Sequence, residues 1–467
     1  MDMYPNVFLD SMELELFSHY LMHTSRIIPL DAEDLYALQV GIPNLAFRSK
    51  PLMSSILALA AICKSHDMLK RPRTTVEDRR EIHDLLVFAD QHHRTSLLQV
   101  QADLPNLNQY DYVLANAALM VLYATSSHCL RIRLAETQPD NEPLLREFIL
   151  AQTQWISLIR AAHLAFTGLL NDDTKTVGIR QESIEPPLAF TCPNGNIQTA
   201  FDILNISPDD GPSERTKNLL FPIIAASSGP AFEALRKKAH AFRAVENMKL
   251  SPTQSNSSSN LLDRSDRYDA GLNACFESLD ILVGIATELF STKGSFSSVA
   301  SHASQSQSKL DFPSSGRLST VPMWLKSYLA RVTSSATTPR PLRRVIMAFL
   351  NRVPAEYLNL VQTILDSISM QTSDSSQEPW GCQGLSLSDS SPVHKLAIDI
   401  FAHWVVLVML LDGVWWIGGI GAWELGRIVS FMRGQGWVDS TIDTGEYWWP
   451  ESIYKVEREL KNLVNPR

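Results

Sequence analysis

Apolar and polar residues alternate along this chain with a helical period almost throughout. Leu14, Phe17 and Leu21 recur at i, i+3, i+7 behind Asp10-Ser11-Met12-Glu13, an Asp-x-x-Glu start that satisfies the free amides of a helix N-terminus. A second helix is predicted from Ser49-Lys50-Pro51, with proline in the first turn, through the alanine- and leucine-rich run to Cys63. Further helices are predicted over Val76–Gln101, Tyr110–Tyr123, Pro143–Leu170, Ser213–Ile224, Ala231–Asn247 and Leu262–Leu289. Arg340–Met370 is predicted to break near Pro354, and Val393–Leu411, Ala422–Met432 and Pro450–Leu463 complete the series. No alternating apolar pair flanks an Asn-Gly turn, and no repeat period recurs. The expected fold class is all-α.

Three serine-rich stretches, 251–260, 291–320 and 372–391, interrupt this pattern. Eleven of the 30 residues in 291–320 are serine, too little apolar surface to order a segment, so these read as disordered surface loops. The piece after the third stretch could not bury its own apolar helix. One large discontinuous multi-helix domain spanning 1–467 is therefore expected.

That apolar helix lies in the most informative segment, Leu396–Met432. Its residues from Leu396 to Leu411 are apolar on all sides apart from Asp399 and His403, which demands burial on all sides. The clean apolar run Trp404–Leu411 is far shorter than the roughly 20 residues of a membrane span, so no span is expected. Asp412-Gly413 ends it, and Trp415, Trp416, Gly418, Gly419, Gly421 and Trp423 follow. Large rings beside glycines fit either tight helix packing or a walled apolar pocket. No Lys or Ser/Thr follows the glycines as a phosphate loop requires.

Composition narrows the function classes. The net charge is −9 with 41 basic and 50 acidic residues, unlike the basic face that phosphate contacts need. Five scattered cysteines without C-x-x-C spacing fit reduced, buried thiols in an intracellular protein, and the N-terminus carries no signal-peptide pattern. Nucleophile-elbow, zincin, dinucleotide and Walker motifs are absent. Glu15, His19 and His23 form an i, i+4, i+8 stripe which, lacking a third firm ligand, reads as a solvated face, so no metal ligand is assigned. Arg236-Lys237-Lys238 with Arg243 reads as a solvated basic surface. Asp399 and His403, one turn apart, form either a satisfied core hydrogen bond or a general acid/base pair.

Several stretches resemble the fungal-specific transcription factor domain. They are Leu14-Glu15-Leu16-Phe17-Ser18-His19-Tyr20-Leu21-Met22-His23-Thr24, Ile42–Phe47, Pro51–Ala61 and Trp155-Ile156-Ser157-Leu158-Ile159-Arg160. Trp404 through Gly421, with Trp448-Trp449-Pro450-Glu451-Ser452, resembles the branch that includes the sterol uptake control regulators. The resemblance implies an all-α regulatory domain with an apolar, sterol-like effector near the C-terminus, protein partners in RNA polymerase II transcription, and nuclear residence. It carries over Trp404, Met409, Trp415, Trp416, Gly418, Gly419 and Gly421 as ligand-binding wall or hinge positions, with no cofactor and no catalytic residue. The binuclear zinc cluster of such regulators, six cysteines including C-x₂-C-x₆-C spacing, has no counterpart before the first matched motif, so direct sequence-specific DNA binding is not expected. The alternative is an enzyme or binding protein of secondary metabolism that uses the same helical pocket.

Overall fold

The computed structural model describes residues 9–71, 75–103, 110–137, 154–175, 211–249, 259–291, 321–333, 341–371, 392–437 and 447–464. The fold is all-α; no strand occurs among these residues. The chain divides into two compact units, each assembled from three pieces. One comprises 1–131, 155–210 and 306–341; the other comprises 132–154, 211–305 and 342–467.

The first unit contains α1 (Ser11–Met22), short α2 (Ala32–Tyr36) and α3 (Ile42–Ala46), then α4 (Lys50–Leu69), α5 (Val76–Asp103) and most of α6 (Asp111–Thr137). It also holds nearly all of α7 (Gln154–Lys175). Local chemistry sets the helix starts. Asp10 accepts from the Glu13 amide while Glu13 accepts from the Asp10 amide, closing the expected capping box. The Ser49 hydroxyl accepts from the Leu52 amide, with Pro51 in the first turn. α4 packs on α1, α3 and α5 and is buried almost all round. A buried polar triad ties it further. The Ser55 hydroxyl donates to Asn116 Oδ1 at 2.5 Å and lies 2.9 Å from the Ser96 hydroxyl, and Asn116 Nδ2 donates to Ser96 at 2.9 Å.

The second unit contains the short π turn Thr216–Leu220 leading into α8 (Phe221–Lys249), then α9 (Ser259–Ser291). The helix α10 (Met323–Val332) belongs to the first unit, where Arg331 pairs with the buried Asp34 at 3.1 Å. The second unit continues with α11 (Leu342–Arg352), α12 (Ala355–Gln371), α13 (Pro392–Val408), α14 (Ile420–Gly434) and α15 (Trp449–Val464). Every residue of α13 from Leu396 to Val408 is buried, and α8, α9, α11, α12, α14 and α15 all pack against it. The break expected near Pro354 separates α11 from α12.

Several expected boundaries move. α6 continues fourteen residues beyond Tyr123. The helices expected on either side of Pro230 are one continuous helix, α8, with Pro230 inside it. Proline removes one backbone donor and crowds the carbonyl four residues earlier, a local cost that the rest of a 29-residue helix outweighs. Ser259, Asn260 and Ser291 are helical, whereas the other residues of the three serine-rich stretches, together with 143–153, lie outside the described residues. Cys63, Cys129 and Cys275 are buried and outside any disulfide among the described residues. By length and composition alone, Lys50–Leu69, Asp111–Glu136, Asp269–Phe290 and Pro392–Leu411 could cross a membrane; the last is 89% buried inside the protein.

Truncating Asn116 to alanine leaves two buried hydroxyls with only each other as partners and should destabilise the chain by about 1–3 kcal/mol. Urea denaturation followed by circular dichroism measures this; a change below about 0.5 kcal/mol would show that the triad contributes nothing.

Candidate functional site

The segment singled out in sequence is the packed centre of the second unit. Trp404 is fully buried; its ring stacks on Phe349 with centroids 5.3 Å apart and lies 5.2 Å from Phe401. Its indole N–H donates to the Ile346 carbonyl at 2.9 Å, so the one polar atom of the ring is satisfied on α11. α13 tightens into a 3₁₀ turn at Met409–Leu411. Asp412 then anchors the chain to a segment 199 residues earlier: its carboxylate accepts from the Ser213 amide at 2.8 Å, the Ser213 hydroxyl at 2.6 Å and the Thr216 hydroxyl at 2.8 Å. The Gly413 amide donates to the Gly211 carbonyl at 3.1 Å beside it.

The glycines serve backbone approach. A Cβ at Gly418 would lie 2.5 Å from the Asp412 carbonyl oxygen, and one at Gly421 would lie 2.6 Å from the Met409 amide nitrogen. Gly419 caps α14 at φ 97°, a left-handed conformation that glycine adopts without steric cost. Met409 and Trp415 are buried, while Trp416 is partly exposed and carries the Arg343 guanidinium 5.7 Å from its ring centroid. The seven expected positions are therefore close together in one helix–turn–helix.

Asp399 and His403 sit in the middle of α13, just before Trp404, as a structural junction. Lys238 Nζ of α8 lies 2.5 Å from Asp399 Oδ2, and the Trp448 indole donates to Oδ1 at 2.8 Å. His403 Nδ1 donates to the Asp399 carbonyl at 2.8 Å, and its ring stacks on Trp449 at 5.4 Å. Burial alone would raise the Asp399 pKa, but Lys238, followed by His403, holds it well below the usual carboxylate range. Lys238, read from sequence as part of a solvated cluster, is thus the counterion of a buried carboxylate. Arg236 pairs with Glu233 at 2.8 Å, and Arg243 donates to Asn273 at 3.1 Å. Lys238 and Trp448 escaped the sequence reading because Asp399 lies 161 and 49 residues away from them.

A cleft of about 740 Å³ opens on the outer face of α14 and α15, bounded also by Glu136 and Ile368. Trp423, Phe431 and Tyr454 give it an apolar wall; Arg427, Arg458 and Lys461 give it a cationic side. Arg427 pairs with the buried Glu424 at 3.1 Å, and Lys461 pairs with Glu457 at 3.2 Å. Arg458 lies 5.9 Å from the Tyr454 ring centroid and has no carboxylate partner among the described residues. None of the seven expected residues lines this cleft; of the same tryptophan-rich segment, Trp423 does. No family model, no curated protein and no solved structure matches this chain.

Two outcomes follow. Lys238→Met should destabilise the chain by about 3 kcal/mol, the low end for breaking a buried pair because water reaches the lysine side. Since the folded Asp399 pKa is depressed, the pair's stabilisation is fully present above pH about 3.8 and is lost as pH falls through the folded value. Denaturation at neutral pH with unchanged stability would contradict this. Gly421→Ala should cost about 2–3 kcal/mol because its methyl meets backbone. Gly426→Ala, whose methyl meets only the movable Tyr454 hydroxyl end, should stay within about 1 kcal/mol of the parent; equal effects would refute the contrast.

Proposed function

We propose that this chain is a ligand-responsive helical regulatory module of the fungal-specific transcription factor type. It acts in the nucleus through protein contacts in RNA polymerase II transcription. Its effector has a sterol-like apolar body. The motif resemblance supports the class, and the all-α fold agrees with it.

One observation carries the effector reading: the cleft on α14 and α15 pairs an aromatic wall with a cation lacking a carboxylate partner among the described residues. Its volume falls within the roughly 300–1,000 Å³ of small-molecule sites. Trp423 and Phe431 would take the apolar body and Arg458 the polar end. In this reading Trp404, Met409, Trp415, Trp416, Gly418, Gly419 and Gly421 act as support and hinge for α14. A ligand that favours one seating of α14 shifts the module by its differential affinity for that seating. This reading invokes no membrane span; the most apolar helix, Pro392–Leu411, is 89% buried inside the protein.

Lipid extraction of the purified full chain with mass spectrometry tests the proposal. Ser430, exposed on the cleft-facing side of α14, offers a substitution that fills the cleft without entering the core. A near-stoichiometric amphipathic lipid is expected with the parent and at least a tenfold smaller amount with Ser430→Trp. Absence of any lipid, or full retention by Ser430→Trp, would overturn the proposal.

A further inference from the structure

The histidine stripe on α1 acquires its missing partners through the fold of the first unit. His19 and His23 stand one turn apart at the end of α1, and Cys63 and Asp67 stand one turn apart on α4, which packs against it. The spacing i, i+4 puts each pair on one helix face. The four ligand atoms, two imidazole nitrogens, the thiol sulfur and a carboxylate oxygen, all lie within 4.8 Å of one another. His23 Nε2 is 2.9 Å and His19 Nε2 is 3.8 Å from Asp67 Oδ2. The two imidazole rings meet at an interplanar angle of 63° with centroids 5.2 Å apart. Donors about 2.0–2.3 Å from a tetrahedral ion stand roughly 3.3–3.8 Å from each other, so small side-chain rotations convert this cluster into a coordination shell.

From these contacts we propose that His19, His23, Cys63 and Asp67 form a tetrahedral zinc-class site that clips the end of α1 to α4. A simple ion pair would use one histidine and Asp67; it leaves unexplained the second imidazole and a fully buried thiol brought to the same point. The donor set of two nitrogens, one sulfur and one oxygen suits Zn²⁺ or Co²⁺ and not the oxygen-seeking Mg²⁺ or Ca²⁺. Charge also balances. Two neutral imidazoles, a carboxylate and a thiolate neutralise one divalent ion, with the Cys63 proton released to solvent as the metal–sulfur bond forms.

The surroundings orient the donors. Thr24 Oγ1 lies 3.2 Å from His19 Nδ1, leaving Nε2 directed at the cluster. His66 Nδ1 stands 3.6 Å from Asp67 Oδ1, the oxygen that does not face the two histidines. Nearby Lys64 is committed to Glu15 at 2.9 Å and Glu81 at 3.0 Å, so it does not occupy the cluster's carboxylate. The side chains of His19, His23 and Asp67 are 23%, 43% and 38% exposed, which leaves an outer face open to an incoming ion above the buried sulfur.

Titration of the metal-stripped full chain with Co²⁺, then Zn²⁺, tests the site. One equivalent of Co²⁺ should bind with tetrahedral visible bands and a thiolate-to-cobalt charge-transfer band in the near ultraviolet. Zn²⁺ should displace it and raise the melting temperature. Cys63→Ser should abolish the charge-transfer band. His23→Gln, at a half-exposed position that circular dichroism should show folded, should weaken binding at least tenfold. No bound Co²⁺, an octahedral spectrum without the thiolate band, or unchanged affinity in folded His23→Gln would each overturn the assignment.

Discussion

A helix without a polar face has to be enclosed, and α13 is such a helix. From Leu396 to Val408 every side chain is buried, so the second unit is arranged as a ring of helices that supplies α13 with a wall on each side. Three polar groups trapped by that arrangement are met. Asp399 is neutralised by Lys238, the Trp404 indole reaches the Ile346 carbonyl, and the Tyr357 hydroxyl donates to the Ala397 carbonyl at 3.1 Å. A polar group left unpaired at such depth would cost about as much as several good contacts contribute.

The turn after α13 follows from the same constraint. To leave the core and start α14 the backbone must reverse within a few residues while staying against Met409 and Asp412. Glycine at 418 and 421 permits that approach and glycine at 419 permits the reversal. Asp412 fixes the corner by holding the Ser213–Thr216 segment through three hydrogen bonds. The tryptophan-and-glycine signature is thus chiefly the chemistry of a corner. The cleft is lined instead by Ala422, Trp423, Gly426, Arg427, Ser430 and Phe431 of α14 with Tyr454, Glu457, Arg458 and Lys461 of α15.

How much could be read beforehand depended on range in sequence. Features set by neighbours were legible: the Asp10–Glu13 capping box, the Ser49 cap with Pro51, the break at Pro354 and the all-round burial of α13. α10 also carries a local signal, Leu325, Tyr328 and Leu329 on one buried face behind Pro322, but it is only ten residues long and follows a serine-rich stretch whose composition points to a loop. What stayed hidden depends on topology. Lys238 reads as surface until α8 is laid beside Asp399, and His19 and His23 read as solvent-facing until α4 brings Cys63 and Asp67 opposite them. The seven positions inferred by resemblance lie in the packed turn after α13 and line no part of the cleft on α14 and α15; periodicity alone does not tell which face of such a segment is packed and which borders an opening.

Native-state hydrogen–deuterium exchange on the full chain in detergent-free buffer tests the central claim most directly. If α13 is enclosed by protein on every side, its amides from Leu396 to Val408 should exchange more slowly than those of α14 and α15, and only with global opening of the second unit. Rapid exchange along α13, or protection that develops only when detergent or lipid is added, would contradict the account.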